Sequence, residues 1–276
     1  MRWIKFILSH SIFIALCASG LSYQTFVLMK LPYDISELGL IFFATLAAYN
    51  SYWIFCKWSS DRKKNTSISF SSYASYFILL IASSIVLIDY LWFNPGFILY
   101  IFIAVVLTLL YSLPFVPNTK IANFKNSGFV KTFLLAITWS FVTVIIPAHE
   151  LLNSHLQEVI ILFLIRFLFM LMLCIIFDSR DVKVDLLHNL QSLATDVNSK
   201  VLSIIMVVIL IIYTMLLFWL QPILSNQRHL FVLMSTGFLT FIIYILSLKK
   251  RGYYFYYFLV DGIMLLSSFA TYMATI

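Results

Sequence analysis

Apolar residues run along this chain in long unbroken stretches, separated by short polar connections. The stretches predict spans at 6–29, 35–56, 70–88, 95–112, 130–147, 158–177, 201–220, 229–248 and 254–276. Each approaches or exceeds the roughly 17–25 residues that carry a helix across a bilayer. In hydrocarbon every backbone amide must find its partner within the protein, so a span is a helix or a strand of a closed barrel. Barrel strands alternate in polarity over about ten residues, and these stretches do not alternate. The expected fold is therefore all-α. It is a polytopic membrane helix bundle of about nine transmembrane helices, built as one integral membrane domain over 1–276.

Composition supports this. The chain is 62% hydrophobic and 11% charged, against roughly 25% charged in ordinary soluble domains. Charge placement adds an orientation. With nine spans, fifteen of the eighteen Lys and Arg residues fall on the side of the N-terminus; Lys30 and Arg228 fall opposite, and Arg166 lies inside a span. Basic loops stay on the cytoplasmic side during insertion. The N-terminus is thus expected in the cytoplasm and the C-terminus outside, in a bacterial inner membrane. That loop distribution accounts for the net charge of +7, and no nucleic-acid partner is expected, because such a surface gathers its cations on one face with aromatics between them. Arg2, Lys5 and the small residues at 18–20 also suit a cleaved signal peptide. The apolar run continues to Met29, longer than a signal core, which points to a retained first helix. Cys17, Cys56 and Cys174 stand in apolar sequence without metal-ligand spacing and read as packing residues.

The candidate chemistry lies at 177–185, Phe-Asp-Ser-Arg-Asp-Val-Lys-Val-Asp. At about 100° per residue, Asp181 and Asp185 fall at about −60° and −20° from Asp178, so three carboxylates share one stripe. Arg180 and Lys183 are expected to point away, toward headgroups or solvent. Like charges on adjacent turns repel, and a divalent cation at the cytoplasmic helix end relieves that repulsion. Carboxylates with room for water and phosphate oxygens suit Mg²⁺. A solvated helix end, its acids partly paired by the interleaved cations, is the alternative. The second span ends in a sparser counterpart. Asn50 and Asp61 fall within about 20° of one face if the helix continues that far. The following Arg62 and Lys63 either bind phosphate or serve topology alone.

These residues resemble the UbiA family of intramembrane prenyltransferases. Asp178-Ser-Arg-Asp-Val-Lys-Val-Asp185, continuing through His188 to Thr195, is similar to that family's second aspartate motif. Ala47-Ala-Tyr-Asn50 occupies the place of the first, and Tyr111-Ser-Leu-Pro114 resembles the turn after the fourth helix. The resemblance spans essentially the whole chain. It implies a transferase of alkyl groups that uses Mg²⁺ to clamp a prenyl diphosphate donor and alkylate a lipophilic acceptor, commonly an aromatic ring. It implies Asp178, Asp181 and Asp185 as catalytic, metal-holding carboxylates, joined at the metal by Asp61. Asn50 and Tyr111 are the implied substrate contacts, and Arg62, Lys63, Lys120 and Arg166 are further candidates on their charge. The first motif is degenerate: its acidic places read Ser51, Ile54 and Trp58, and the next carboxylate is Asp61. The basic pair expected after the fourth-helix tyrosine falls at Phe115 and Val116, with Lys120 the nearest cation.

Other polar residues are weighed singly. Arg166, deep in a span, contacts diphosphate or makes an interhelical pair. Asp261 reads as a buried pairing partner, with Glu37 either its counterpart or a marker of the outer interface. His10 reads as hydrogen-bonded packing, and His149, Glu150, His155 and Glu158 match no zinc spacing. Two further readings stand beside the transferase. One is a non-catalytic UbiA-fold protein that binds lipid or a partner; the other is a transporter using Arg166 and Asp261.

Overall fold

The computed structural model describes residues 2–63, 73–112, 128–187, 192–222, 224 and 226–276. The elements are α1 (Arg2–Ser9), α2 (Ile12–Leu28), α3 (Ile35–Lys63), α4 (Ala74–Phe93), α5 (Ile98–Ser112), α6 (Gly128–Ser140), α7 (Leu156–Leu187), α8 (Leu193–Asp196), α9 (Ser199–Leu220), α10 (Gln227–Ser247) and α11 (Asp261–Met273). Among the described residues seven helices are long and apolar enough to cross a membrane, and an eighth span follows if the bent pair α1–α2 counts as one. The apolar helix over Pro95–Tyr111 is shorter. The all-helical membrane bundle expected from the sequence is what forms.

Two spans differ from expectation, each for a local reason. The run at 6–29 is not one helix. Ser11 adopts a left-handed conformation at φ 62° and ψ 14°, a region that costs a residue with a Cβ about 1–2 kcal/mol. The chain turns there by 67°. The break is held from the side: His10 Nε2 lies 2.8 Å from Ser75 Oγ, and its ring stacks between Phe6 and Tyr76. The span expected at 70–88 lies instead at Ala74–Phe93. Asp89 does not end it. Pro95 does, because proline lacks an N–H and drives the residue before it out of helical geometry.

Helix α7 is the axis of the bundle, with 83% of its apolar window buried. It packs against α6, α9 and α10, while α2 packs against α3, α11 and the segment Phe141–Ile145 that follows α6. Two π-helical segments interrupt this regularity, Phe141–Ile145 following α6 and Phe255–Val260 preceding α11.

Candidate functional site

A cavity of about 450 Å³ opens where α7, α3, α1 and the start of α11 converge. Its charged lining is Lys5, Asp178, Arg180 and Asp261, and its aromatic walls include Tyr49, Trp53, Tyr76, Phe177, Tyr253 and Tyr257. The end of α7 and the second half of α3, which carry the two motif-like segments, thus face each other across one space.

Asp178 is positioned through α6. A Cβ on Gly128 would stand 2.0 Å from the backbone carbon of Ser192, so only glycine lets α6 start this close to the segment before α8. The Gly128 N–H donates to Asp196 Oδ2 at 2.9 Å, anchoring the helix start. One turn on, the buried Thr132 hydroxyl lies 2.6 Å from Asp178 Oδ2 and donates to it. The contact orients the carboxylate at the cavity wall.

Arg180 does not point away from the acidic stripe, as 100° per residue implied. Its Nε and Nη2 donate to Asp181 Oδ1 and Oδ2 at 2.7 and 2.6 Å, a two-pronged pair. Its guanidinium lies over the rings of Phe177, Tyr256 and Tyr257 at 5.1, 5.1 and 4.9 Å. The long side chain reaches back around the helix because the π segment presents rings there, and a guanidinium over a ring face is attracted by the ring's quadrupole. The cavity therefore gains a cation. Asp181 is held by that cation and is absent from the cavity lining.

Asp261, at the first turn of α11, is 8% exposed and reaches the same cavity. Among the described residues no hydrogen bond or ion pair joins it to Glu37, so of the two readings of Glu37 the counterpart is not what forms. Glu37 and Trp53 are sixteen residues apart on α3, about 24 Å along the axis, and only Trp53 lies at the cavity.

The remaining expected site residues are dispersed. Asn50, fully buried, donates from Nδ2 to the His10 and Leu46 carbonyls at 3.2 and 2.8 Å, tying α3 to the α1–α2 break. Tyr111 lines a separate apolar cleft of about 90 Å³ between α3, α5 and α6, which Tyr49 also borders. Arg166 is 4% exposed; it donates from Nη1 to Gln24 Oε1 at 2.7 Å and from Nη2 to the Leu21 carbonyl at 3.2 Å. It borders a space of only about 10 Å³ and not the large cavity. Helix α3 does continue through Asp61, Arg62 and Lys63, and α7 through Asp185. The side chains of these four, and Lys120 altogether, lie outside the described residues.

Lys5, Thr132, Trp53 and Tyr257 belong to the site without any sequence motif marking them. Only the juxtaposition of distant helices reveals them.

The bundle and its cavity define a UbiA-like polytopic membrane fold. Over 99% of both chains it is similar to a solved structure reported for digeranylgeranylglyceryl phosphate synthase in membranes, with a TM-score of 0.62 and 16% identity. No protein-family model matches the chain, and no curated protein matches it in sequence.

Proposed function

We propose that this protein is a UbiA-type membrane prenyltransferase, moving a prenyl group from a prenyl diphosphate to a lipophilic acceptor with Mg²⁺. One observation carries the reading. A single cavity joins a carboxylate on α7, Asp178, to two cations, Lys5 and Arg180, within aromatic walls. The similarity of the whole fold to a prenyltransferase supports the same class. The cavity lies at the end of the bundle that carries Lys5 and Arg180, which the positive-inside rule puts in the cytoplasm, where diphosphate donors are soluble. The C-terminus is then outside.

Mg²⁺ is commonly held by one or two carboxylates with substrate phosphates and waters completing its shell. Asp178, fixed by Thr132 at the cavity wall, fits that role. Asp181, Asp185 and Asp61 are the further carboxylates proposed for it, Asp181 on release of its pair with Arg180. The ion supplies charge neutralisation for the departing diphosphate. The protein's own groups do the rest. Arg180 offers a planar fork to diphosphate oxygens, and Lys5 a point charge. Tyr49, Trp53, Tyr76 and Tyr257 wall the cavity against water and supply π-electron density near an allylic cation. Arg62, Lys63, Lys120, Asn50 and Tyr111 remain proposed substrate contacts, and Arg166 is withdrawn from that set by its place in the bundle.

A non-catalytic relative is favoured by one feature, the closed pair of Asp181 with Arg180. The two readings separate in one assay. Purified protein in detergent is incubated with radiolabelled farnesyl or geranylgeranyl diphosphate and Mg²⁺. The transferase binds the donor in a Mg²⁺-dependent way and releases diphosphate. Absence of both, across a range of acceptors, overturns the proposal.

A further inference from the structure

We infer that Asp261 is the acceptor-binding residue of the cavity, receiving the hydroxyl hydrogen of an alcohol or phenol acceptor and taking its proton as the oxygen is alkylated. The inference rests on the prenyl-transfer reading and extends it to a third helix. Asp261 lies on neither acidic motif; α11 brings it to the wall shared with Asp178, Arg180 and Tyr49. Its side chain is 8% exposed. Among the described residues it makes no side-chain hydrogen bond or ion pair, and only its backbone carbonyl is engaged, by Cys17 Sγ at 3.4 Å. A buried carboxylate without a donor is strongly disfavoured. Such a group persists where a ligand brings the missing hydrogen.

The local backbone is consistent with a built site. The π segment Phe255–Val260 ends at Val260, immediately before Asp261. Single π turns recur at functional sites because they shift the register of the residues that follow. Charge decides which substrate Asp261 meets. A diphosphate is drawn to Arg180 and Lys5 and repelled by a second carboxylate, so Asp261 serves the other reactant. An ammonium group would satisfy the charge but carries no lone pair with which to attack. A hydroxyl supplies both the hydrogen and the lone pair. In the step, an oxygen lone pair forms the bond to C1 of the prenyl group. The C1–O bond to diphosphate breaks, its electron pair leaves with the diphosphate, and the hydroxyl proton passes to the Asp261 carboxylate.

Binding of 4-butylphenol and 4-butylanisole to protein loaded with Mg²⁺ and farnesyl thiodiphosphate tests this, since the two probes differ in the hydroxyl hydrogen. The phenol is expected to bind about ten- to a hundredfold more tightly, the range for one hydrogen bond to a charged group. Asp261→Leu is expected to erase that preference without weakening the binding of farnesyl thiodiphosphate, from which it removes only a repelling charge. Equal affinities in the wild type, no binding of either probe, or a preference surviving in the folded leucine variant would overturn the assignment. Should the leucine variant not fold, Asp261→Asn carries the test. An amide also donates, so it welcomes the anisole oxygen and the preference falls by about fivefold or more; a preference kept in full overturns the inference. Failure of the wild type to bind the thiodiphosphate is a different result, which sinks the transferase reading itself.

Discussion

Arg166 and Arg180 stand fourteen residues apart on the same helix, and their surroundings could hardly differ more. Arg166 is packed among Gln24, Leu21 and Thr25, bordering about 10 Å³ of space, its charge spread over neutral acceptors of α2. Arg180 lies at the wall of a cavity of about 450 Å³, forked onto Asp181 and stacked over three rings. The first joins two helices in the middle of the bundle; the second borders open space. An arginine inside a membrane announces that its charge is met, not by what. Packing decides whether the partner is the protein or a substrate.

That contrast can be broken experimentally. The largest effect is expected at the carboxylate beside Arg180. Asp178→Asn should lower Mg²⁺-dependent diphosphate release by more than about a hundredfold, because metal-assisted charge stabilisation supplies several kcal/mol. The melting temperature in detergent should not fall, since Thr132 can still donate to the amide oxygen. Retained activity would move the site away from α7. Next, Arg180→Gln should weaken Mg²⁺-dependent binding of farnesyl diphosphate by about ten- to a hundredfold, the loss of a charge-assisted hydrogen bond. An unchanged dissociation constant would reduce Arg180 to a packing residue like its counterpart.

Arg166→Met should show the reverse. Gln24 Oε1 loses its donor, which costs about 1–3 kcal/mol, while the Leu21 carbonyl keeps its bond from the Thr25 hydroxyl. Chemical unfolding in detergent reads this loss, while the folded fraction keeps its donor affinity. A loss of donor binding without a loss of stability would return Arg166 to the substrate path. The smallest effect is expected at the rings. Tyr257→Leu removes one of three faces beneath Arg180 and should weaken donor binding only a few-fold, corresponding to about 0.5–1 kcal/mol for a partly exposed cation–π contact.

The pattern of apolar stretches carried most of the architecture, and the exceptions are instructive. Length and hydropathy place helices well because backbone satisfaction in lipid leaves few alternatives. They do not see a break inside an apolar run. The polar triplet Ser9-His10-Ser11 does not by itself signal a left-handed residue, and the 67° bend is stabilised by Ser75 and Tyr76 from another helix. The late end of α4 was legible in principle, since Pro95 is a stronger stop than the charge of Asp89. The site divides in the same way. The stripe at 178–185 was visible from helical spacing alone, and so was the candidacy of Asp178. Spacing fixes where a Cβ lies, but the guanidinium of Arg180 extends far enough to choose its own neighbours, and two of these, Tyr256 and Tyr257, come from a distant segment of the chain. Asp261 was legible as a buried acid and nothing more; the cavity it enters exists only once α11 closes against α2.

By itself the sequence determined that this chain crosses a membrane repeatedly as helices and that its acids gather at one end of the central one. Those properties follow from local chemistry: apolar length and a 100° step. Tertiary structure decided which acid enters the cavity, which arginine borders it, and that a carboxylate from α11 shares the space. Such facts depend on contacts between residues distant in the chain, and those contacts are set by how the helices pack.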